Sequence, residues 1–237
     1  GDDINVNCGS THLEKIMALV KEHGCDLGIA HDGDADRLLA VDAEGNEVDG
    51  DMIEAICAVA LKQRGKLAHD TVVSTVMANM GFKRAMEEQG ITVVETPVGD
   101  KNVLAAMRKG GYVLGGEQSG HTIFLDCNST GDGLITALML IAEVKRSGKT
   151  LAELATVMTR YPQVLINVPV KDKGLLSTSR AVREATRAAE KELAGNGRVL
   201  VRPSGTEPLV RVMVEASDRK SADEVAHRIA HVIETEL

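Results

Sequence analysis

The sequence predicts an α/β protein made of mixed, mainly parallel α/β domains followed by a small C-terminal two-layer α+β domain. Two observations predict this class. Short apolar runs alternate with segments in which apolar residues recur every three or four positions, as expected for βαβ units on a mainly parallel sheet. Aromatic residues make up only 2% of the chain, so its cores must be built from aliphatic residues and Met.

The first predicted elements are one helix and two strands. Thr11 and Glu14 predict a capping box at the start of the helix, and Gly24 predicts its end. Apolar runs at 27–30 and 38–41 predict strands on either side of an acidic loop. Because the chain starts without Met and inside a strand-like run, we expect it to be part of a longer protein.

From residue 51 onward the pattern alternates between helix and strand. Helical spacing predicts three helices that end near Gly65, Gly90 and Gly110. Apolar, β-branched runs predict strands at 71–76, 91–95, 112–114 and 122–125. This alternation is the reason for expecting a mainly parallel sheet.

Two more helices are predicted before the expected domain boundary. Residues 131–144 are apolar nearly all round, which predicts a buried helix. Thr150 and Glu153 predict a capping box at the start of the next one. We place a domain boundary near Tyr161-Pro162.

The remaining residues predict the order β-α-β-β-α. Alternating apolar residues predict three strands, at 164–170, 198–201 and 209–214. Residues 179–193 predict the first helix, and Ser221 with Glu224 predicts a capping box for the second. This order is typical of a small two-layer α+β domain.

Charge and cysteine content exclude several classes of protein. A net charge of −8 argues against a nucleic-acid binder, which relies on clustered Lys and Arg. No run reaches the ~18 apolar residues of a membrane span and no signal peptide is recognisable, so we expect a cytoplasmic protein. The four cysteines form no CxxC pair, as is usual in a reduced compartment. A zinc site from His23, Cys25 and His31 is an alternative whose spacing matches no usual zinc pattern.

The acidic loop, Asp32-Gly33-Asp34-Ala35-Asp36-Arg37, predicts a metal site. Asp32, Asp34 and Asp36 repel one another unless a cation lies among them, and their hard oxygen atoms suit Mg²⁺ or Ca²⁺. An EF-hand would need Gly at its sixth position and Glu at its twelfth, where this chain has Arg37 and Ala43. A solvated acidic turn is the other alternative, and the flanking apolar strands with the adjacent Arg37 favour the metal.

A second polar loop, Gly115-Gly116-Glu117-Gln118-Ser119-Gly120-His121, joins two predicted strands. Its glycines let the backbone turn sharply, so that Glu117, Ser119 and His121 face one pocket suited to a ligand rich in hydroxyl groups. The spacing is neither that of a nucleophile elbow nor that of a dinucleotide fingerprint. A hairpin turn with incidental polar residues remains the alternative.

A third loop, Arg202-Pro203-Ser204-Gly205-Thr206-Glu207-Pro208, predicts an anion site. The Arg202 guanidinium, the hydroxyls of Ser204 and Thr206 and backbone N–H groups freed by Gly205 suit a phosphate, and Arg211 lies close enough in sequence to reach it. A plain β-turn is the alternative. It does not explain why arginine and two hydroxyls gather there.

Together the three loops resemble those of the α-D-phosphohexomutases. The acidic loop (residues 32–37), the sugar loop (116–121) and the phosphate loop (202–208) occur in the family's order and spacing. Segments at 48–51, 98–101 and 130–133 are typical of the family's glucosamine branch, so the resemblance covers nearly the whole chain. It implies three domain regions: the end of domain 2 at 1–47, domain 3 at 48–161 and domain 4 at 162–237.

The resemblance also implies an activity, the interconversion of glucosamine 6-phosphate and glucosamine 1-phosphate by phosphoryl transfer. In that scheme Mg²⁺ is held by Asp32, Asp34 and Asp36. Arg37 stabilises the transferring phosphoryl group, and His121 carries a proton.

The same scheme assigns the residues that hold the substrate, a small hexosamine phosphate. The sugar hydroxyls are bound by Glu117 and Ser119. The phosphate that does not react is bound by Arg202, Ser204, Gly205, Thr206 and Arg211.

The chain departs from the family pattern in one large respect. The family's reaction uses a phosphoserine of the first domain, and no matching Ser-His-Asn-Pro-like loop occurs in these 237 residues, so we expect no turnover by this chain alone. Gln118 favours the glucosamine branch over a phosphomannomutase or phosphoglucomutase of the same family. A sugar-phosphate binding module without chemistry and a Mg²⁺-dependent phosphatase are the remaining alternatives, and the oligomeric state is left open.

Overall fold

A computed structural model describes residues 2–237. The chain folds into two compact units, of which the first ends at Thr159 and the second is Arg160–Leu237. The first unit contains two sheets, and one of them has parallel strands with helices around it. The second unit contains one antiparallel sheet and two long helices. The predicted mixed α/β class is therefore confirmed.

The first sheet is an antiparallel meander that carries the acidic loop in its first hairpin. Its strands are β1 (Leu27–His31), β2 (Leu38–Asp42) and β3 (Glu47–Val48). Helix α1 (Glu14–His23) packs against it, and a Cβ on Gly28 would lie 2.7 Å from Val20, so glycine permits this close approach. The helix and both predicted strands are confirmed.

The capping box predicted at Thr11 is wrong. Thr11 belongs to a short 3₁₀ turn, Gly9–Thr11, and His12 is extended, so the hydroxyl of Thr11 is separated from the helix. The helix starts at Glu14 with Leu13 at its N-cap position and no side-chain cap. Gly24 ends it in the left-handed conformation, as predicted.

The second sheet has the strand order β5-β4-β6-β7. Its strands are β4 (Thr71–Thr75), β5 (Thr92–Thr96), β6 (Leu114–Gly116) and β7 (Thr122–Phe124). The first three strands in this order are parallel, and β7 returns antiparallel to β6 through the sugar loop. The helices of this region are α2 (Gly50–Gln63), α3 (Met80–Glu88), α4 (Asp100–Gly110), α5 (Gly133–Ser147) and α6 (Leu151–Ala155).

Adjacent residues of β4 point into two different cores. Val72 belongs to the larger core, which includes Phe82 and Leu140, whereas Val73 belongs to a smaller one with Met107. This is the alternation of a strand that is covered on both faces, and it explains why every residue of the strand is buried. The sheet therefore lies between helices on its two sides.

Helix α5 corrects the prediction of a helix buried all round. Leu140 is fully buried, but Leu134 and Leu138 are 60% and 59% exposed. These two residues are four positions apart and share one outward face. The capping box of Thr150 and Glu153 at the start of α6 is confirmed.

The second unit has the predicted order β-α-β-β-α. Its strands β8 (Gln163–Pro169), β9 (Gly197–Pro203) and β10 (Leu209–Ala216) form an antiparallel sheet with β10 in the centre. Helices α7 (Arg180–Leu193) and α8 (Arg219–Glu236) pack on it through an aliphatic core. A 3₁₀ helix, Lys173–Ser177, lies between β8 and α7. The two-layer α+β prediction is confirmed.

The capping box predicted at Ser221 is wrong. Helix α8 begins at Arg219, two residues before Ser221. Asp218 caps it by accepting a hydrogen bond from the Ser221 N–H at 2.9 Å. The Ser221 hydroxyl also donates to this carboxylate, at 2.7 Å, so Ser221 lies inside the first turn. Of the helices within residues 2–237, none is both long and apolar enough to cross a membrane.

Candidate functional site

The acidic loop brings its three carboxylates together at the tip of the β1–β2 hairpin. Asp32, Asp34 and Asp36 each offer an oxygen atom within 4.8 Å of the other two. A turn closes the loop through a 3.2 Å hydrogen bond from the Ala35 N–H to the Asp32 carbonyl, with Ala35 at φ +59°. The loop joins two strands, whereas an EF-hand loop joins two helices, so the EF-hand alternative is excluded.

Arg37 lies beside the carboxylates and offsets part of their charge. Its Nε is 3.6 Å from Asp32 and 3.9 Å from Asp36, and its backbone N–H donates to Asp32 at 3.2 Å. Burial raises the pKa of Asp36, and the hydrogen bond and charge of Asp32 and the charge of Asp34 raise it further. The three carboxylates thus carry more negative charge than the single Arg37 can neutralise.

The chemistry of this donor set suits a hard divalent cation. Asp36 Oδ1 is buried without a hydrogen-bond partner among residues 2–237, so one oxygen atom is available for a ligand. Within the same residues this triad is the only group of three or more acidic, His or Cys side chains close enough to share a metal. The zinc alternative with His23, Cys25 and His31 therefore finds no support, and His31 Nδ1 instead lies 3.1 Å from the Arg37 carbonyl.

The sugar loop is hydrogen-bonded to the acidic hairpin. The Leu38 N–H donates to the Gly120 carbonyl at 3.1 Å, and Arg37 and His121 form an antiparallel bridge. Gly120 has φ +93°, and a Cβ there would lie 2.3 Å from the Leu38 carbonyl oxygen. Glycine is required at this position by both its conformation and its contacts. The contact places the acidic loop and the sugar loop side by side.

The Glu117 side chain is hydrogen-bonded to the residue that precedes helix α4. Its Oε1 accepts a 3.0 Å hydrogen bond from the Gly99 N–H, immediately before α4. Gly50, the first residue of α2, donates its N–H to the Gln118 carbonyl at 3.1 Å and would have its Cβ 2.2 Å from the Glu117 carbonyl. Ser119 is exposed. Segments 48–51 and 98–101 therefore shape the sugar loop.

His121 faces the acidic loop. Its side chain is only 4% exposed, and Nε2 lies 3.6 Å from Asp36 Oδ2. A Cβ on Gly131 would lie 2.4 Å from Nε2, so the imidazole is packed against the backbone of this glycine. The structure thus places a buried His121 side chain beside Asp36, whereas Ser119 is exposed.

Helix α5 starts directly on the acidic loop. The Gly133 N–H donates to the Ala35 carbonyl at 2.9 Å, and a Cβ on Gly133 would lie 2.5 Å from the Arg37 carbonyl. Asp132 caps the helix by accepting from the Ile135 N–H at 2.9 Å. The third segment singled out in the sequence, 130–133, therefore fixes the backbone that presents the carboxylates.

In the second unit, the phosphate loop connects β9 to β10 and places two arginines opposite each other. Arg202 and Arg211 are register partners of the antiparallel ladder. The Arg211 side chain pairs with Glu207 at 3.0 Å, whereas the Arg202 side chain has no ion pair or hydrogen bond within residues 2–237. Burial lowers the pKa of Arg202, and the charge of Arg211 lowers it further. An anion bound here would relieve this repulsion.

Of the remaining predicted phosphate ligands, one is hydrogen-bonded within the loop and two are exposed. Ser204 is 3% exposed, and its hydroxyl accepts from the Glu207 N–H at 3.3 Å, so it stabilises the turn. Gly205 and Thr206 are exposed, and their backbone N–H groups have no acceptor within residues 2–237. Gly205 does not have a positive φ and its Cβ would meet nothing within 4 Å, so neither its conformation nor its contacts require glycine at this position.

One residue that sequence reasoning missed lies next to the phosphate loop. Lys173 Nζ donates to the carbonyl oxygen of Ser204 at 2.7 Å. A lysine between Asp172 and Gly174 in a polar turn gives no signal by which it could have been found, since such residues are usually solvated. Only the fold brings the 3₁₀ helix Lys173–Ser177 to the loop.

Three models of the phosphoglucomutase/phosphomannomutase family match consecutive parts of the chain. Its alpha/beta/alpha domain II matches residues 5–45, its alpha/beta/alpha domain III matches residues 49–161, and its C-terminal domain matches residues 165–232. The matched segments contain the acidic loop, the sugar loop and the phosphate loop respectively.

Individual relatives agree with these matches. The chain is 60% identical over 237 residues to a phosphoglucosamine mutase of Streptomyces griseus, covering all of this chain and 52% of the relative. It is 57% identical over 239 residues to a phosphoglucosamine mutase of Thermoanaerobacter sp., covering 54% of that protein. The chain thus spans about half the length of the curated relatives it matches.

A solved structure shows the same fold. The crystal structure of Aspergillus fumigatus N-acetylphosphoglucosamine mutase in complex with GlcNAc-6P and magnesium superposes with a TM-score of 0.79 at 24% identity. The match covers 98% of this chain and 57% of that one. From the three family models and the relatives, the chain belongs to the phosphoglucomutase/phosphomannomutase family, the α-D-phosphohexomutases.

Proposed function

We propose that this chain supplies the metal, sugar and phosphate loops of a phosphoglucosamine mutase. That enzyme interconverts glucosamine 6-phosphate and glucosamine 1-phosphate by phosphoryl transfer. The observation that carries the proposal is the bridge between Arg37 and His121, which joins the acidic triad to the sugar loop. Cation ligands and hydroxyl ligands on one rigid backbone are what a sugar-phosphate transfer needs, because such transfers depend on positioning and charge neutralisation.

The acidic triad would hold Mg²⁺, since hard carboxylate oxygens are the ligands this ion prefers. Bound there, the ion would neutralise negative charge on a phosphoryl group. Arg37 has 43% of its side chain exposed and already lies beside Asp32 and Asp36. It can therefore remain among the carboxylates while its terminal nitrogens reach a phosphoryl oxygen.

In this proposal His121 positions one carboxylate of the acidic triad. The buried imidazole lies 3.6 Å from Asp36 Oδ2 and would orient that carboxylate among the predicted metal ligands. Proton transfer to a substrate would require contact with it, and an almost fully buried side chain does not support that role. We therefore assign His121 a positioning function.

The sugar would be bound by Glu117 and Ser119. The Gly99 N–H fixes one carboxylate oxygen of Glu117, which leaves the other available to accept from a sugar hydroxyl. Ser119 is exposed and can donate or accept. These groups recognise hydroxyls in general, and the preference for a glucosamine phosphate is supported by the identity to phosphoglucosamine mutases.

The phosphate loop would bind the phosphate that does not react. Arg202 and Arg211 supply charge, while the N–H groups of Gly205 and Thr206 supply neutral donors. Ser204 contributes by shaping the turn. All of these groups belong to the second unit, so this binding step needs no other part of the chain.

Turnover would require the family's phosphoserine, which has no counterpart in these 237 residues. The proposal is tested with the full-length protein by comparing kcat/KM for glucosamine 6-phosphate, glucose 6-phosphate and mannose 6-phosphate in the presence of Mg²⁺. We expect glucosamine 6-phosphate to be favoured by at least about tenfold, which corresponds to about 1.4 kcal/mol of transition-state discrimination. Preference for either of the other sugars would identify the alternative members of the family.

A further inference from the structure

Three carbonyl oxygens of the phosphate loop converge on one ammonium group. Lys173 Nζ lies 2.7 Å from the Ser204 oxygen, 3.3 Å from the Glu207 oxygen and 3.4 Å from the Gly205 oxygen. A lysine ammonium has three N–H donors and no acceptor, so these contacts account for its whole donor set. Its charge strengthens each of them relative to a neutral hydrogen bond.

The direction of these carbonyls fixes the direction of two amides. In a planar trans peptide unit the C=O and the following N–H point in opposite directions. Turning the Ser204 carbonyl toward Lys173 therefore turns the Gly205 N–H away from it, and the Gly205 carbonyl does the same to the Thr206 N–H. These are the two exposed amides of the loop that have no acceptor within residues 2–237.

We propose that Lys173 is a positioning residue that orients the N–H groups of Gly205 and Thr206 for binding a phosphate group. The proposal rests on the proposed phosphate-binding function of this loop. Lys173 contacts the loop from the carbonyl side and so does not touch the anion itself.

The surroundings of Lys173 hold it in this place. It is the first residue of the 3₁₀ helix Lys173–Ser177, whose start is capped by Asp172 through a 2.8 Å hydrogen bond from the Gly174 N–H. The side chain is half-buried, and its stem crosses from this helix to the loop. Lys171, two residues earlier, is exposed and has no hydrogen bond or ion pair within residues 2–237. It provides a matched control with the same charge.

The test uses the 237-residue chain and inorganic phosphate. Dissociation constants are measured from ¹H–¹⁵N NMR shifts for the parent, Lys173→Met, Lys173→Arg and Lys171→Met, and residual dipolar couplings report the N–H directions of Gly205 and Thr206 without ligand. Methionine keeps much of the stem and removes the donors. We expect Lys173→Met to weaken phosphate binding about tenfold and to reorient both amides, because several charge-assisted hydrogen bonds are lost.

The control variants separate orientation from net charge. Lys171→Met should change the phosphate affinity by less than about twofold, since an exposed charge is screened by salt. Lys173→Arg should restore part of the affinity because it retains charged donors. Unchanged dipolar couplings in folded Lys173→Met, or an equal loss of affinity in Lys171→Met, would overturn the proposal.

Failure of the underlying function gives a different result. If the parent chain shows no phosphate shifts at Gly205 and Thr206, the proposed phosphate site is wrong, and the dipolar couplings still decide whether Lys173 orients the amides. Should Lys173→Met not fold, the couplings of Lys173→Gln decide instead. Glutamine is shorter and removes the ammonium charge, so unchanged couplings in that variant would also contradict the proposal.

Discussion

Arg202 and Arg211 lie directly opposite each other on the neighbouring antiparallel strands β9 and β10. Like charges at such a pair destabilise a sheet, and among residues 2–237 an ion pair offsets Arg211, with Glu207 at 3.0 Å, but not Arg202. Burial and the charge of Arg211 together lower the pKa of Arg202. The strands thus hold a pair of like charges next to the loop that carries the exposed residues Gly205 and Thr206.

Replacing Arg202 should separate phosphate binding from stability. We expect Arg202→Ala to remove the NMR shifts of Gly205 and Thr206 at millimolar phosphate, because it deletes a charge and two potential hydrogen bonds. Without ligand, the variant should be more stable by about 0.5 kcal/mol, since the repulsion is gone. Lys191→Ala removes an equal, exposed charge from α7 and should leave the shifts intact. Persisting shifts in Arg202→Ala would show that Arg202 is not a phosphate ligand and would contradict its assigned role.

The acidic loop should bind divalent ions weakly in this chain. We expect a dissociation constant of about 10⁻⁴ to 10⁻³ M for Mn²⁺ or Ca²⁺ by titration calorimetry, as in weak carboxylate sites. Asp34 is exposed, so Asp34→Ala should abolish binding without unfolding the protein. Asp126→Ala changes the charge equally at an exposed position outside the loop and should bind as the parent does. Equal binding by Asp34→Ala would place the metal elsewhere.

Two glycines should respond to alanine with effects of different size. A Cβ on Gly133 would lie 2.5 Å from the Arg37 carbonyl and 2.9 Å from the Ala35 carbonyl, and backbone atoms cannot move aside easily. We expect Gly133→Ala to lower the free energy of unfolding by about 1–3 kcal/mol and to weaken metal binding. Gly205→Ala enters open space and should change stability by less than about 1 kcal/mol. Urea denaturation measures both, and equal effects would contradict the packing described for α5.

Glu54 should make stability depend on pH in a defined direction. Its side chain is fully buried in α2, and burial raises its pKa well above the usual 4.5, with the charge of Asp51 adding to the effect. Above pH 4.5 the unfolded chain loses a proton that the folded chain keeps, so stability falls as the pH rises.

Glu54→Gln should remove this dependence. The variant should match the parent below pH 4.5 and gain about 1.4 kcal/mol relative to it for each pH unit above that, until the folded carboxyl ionises. Urea denaturation followed by circular dichroism over this range measures the difference. A difference that stays constant with pH would mean that Glu54 is ionised in the folded protein.

Much of the fold follows from local sequence signals. Period-two and period-3.6 patterns, together with stops such as Gly24, predicted the strands, the helices and the parallel sheet. Errors arose where two local signals compete. Thr11 has capping chemistry but lies in a 3₁₀ turn, and Asp218 takes the cap that Ser221 was expected to supply. Boundaries of this kind depend on backbone conformation, which a motif does not specify.

The candidate site was only partly predictable because its parts meet through tertiary contacts. The composition of the loops is enough to identify them in the sequence. The 3.6 Å distance between His121 and Asp36, however, joins residues from different hairpins, which composition does not predict. Ser204 has the chemistry of a phosphate ligand, yet the turn uses its hydroxyl internally. Lys173 is separated from the loop by the whole of α7 and β9, so no spacing rule reveals it.

Turnover tests the central proposal most directly. Formation of glucosamine 1-phosphate from glucosamine 6-phosphate is followed in a coupled assay with Mg²⁺, using the full-length protein, its Asp34→Ala variant and the purified 237-residue chain. We predict turnover by the full-length protein, a loss of at least about 10²-fold in Asp34→Ala because a cation ligand is removed, and none by the chain alone. Turnover by the purified chain free of host enzyme, or none by the full-length protein, would contradict the proposed function.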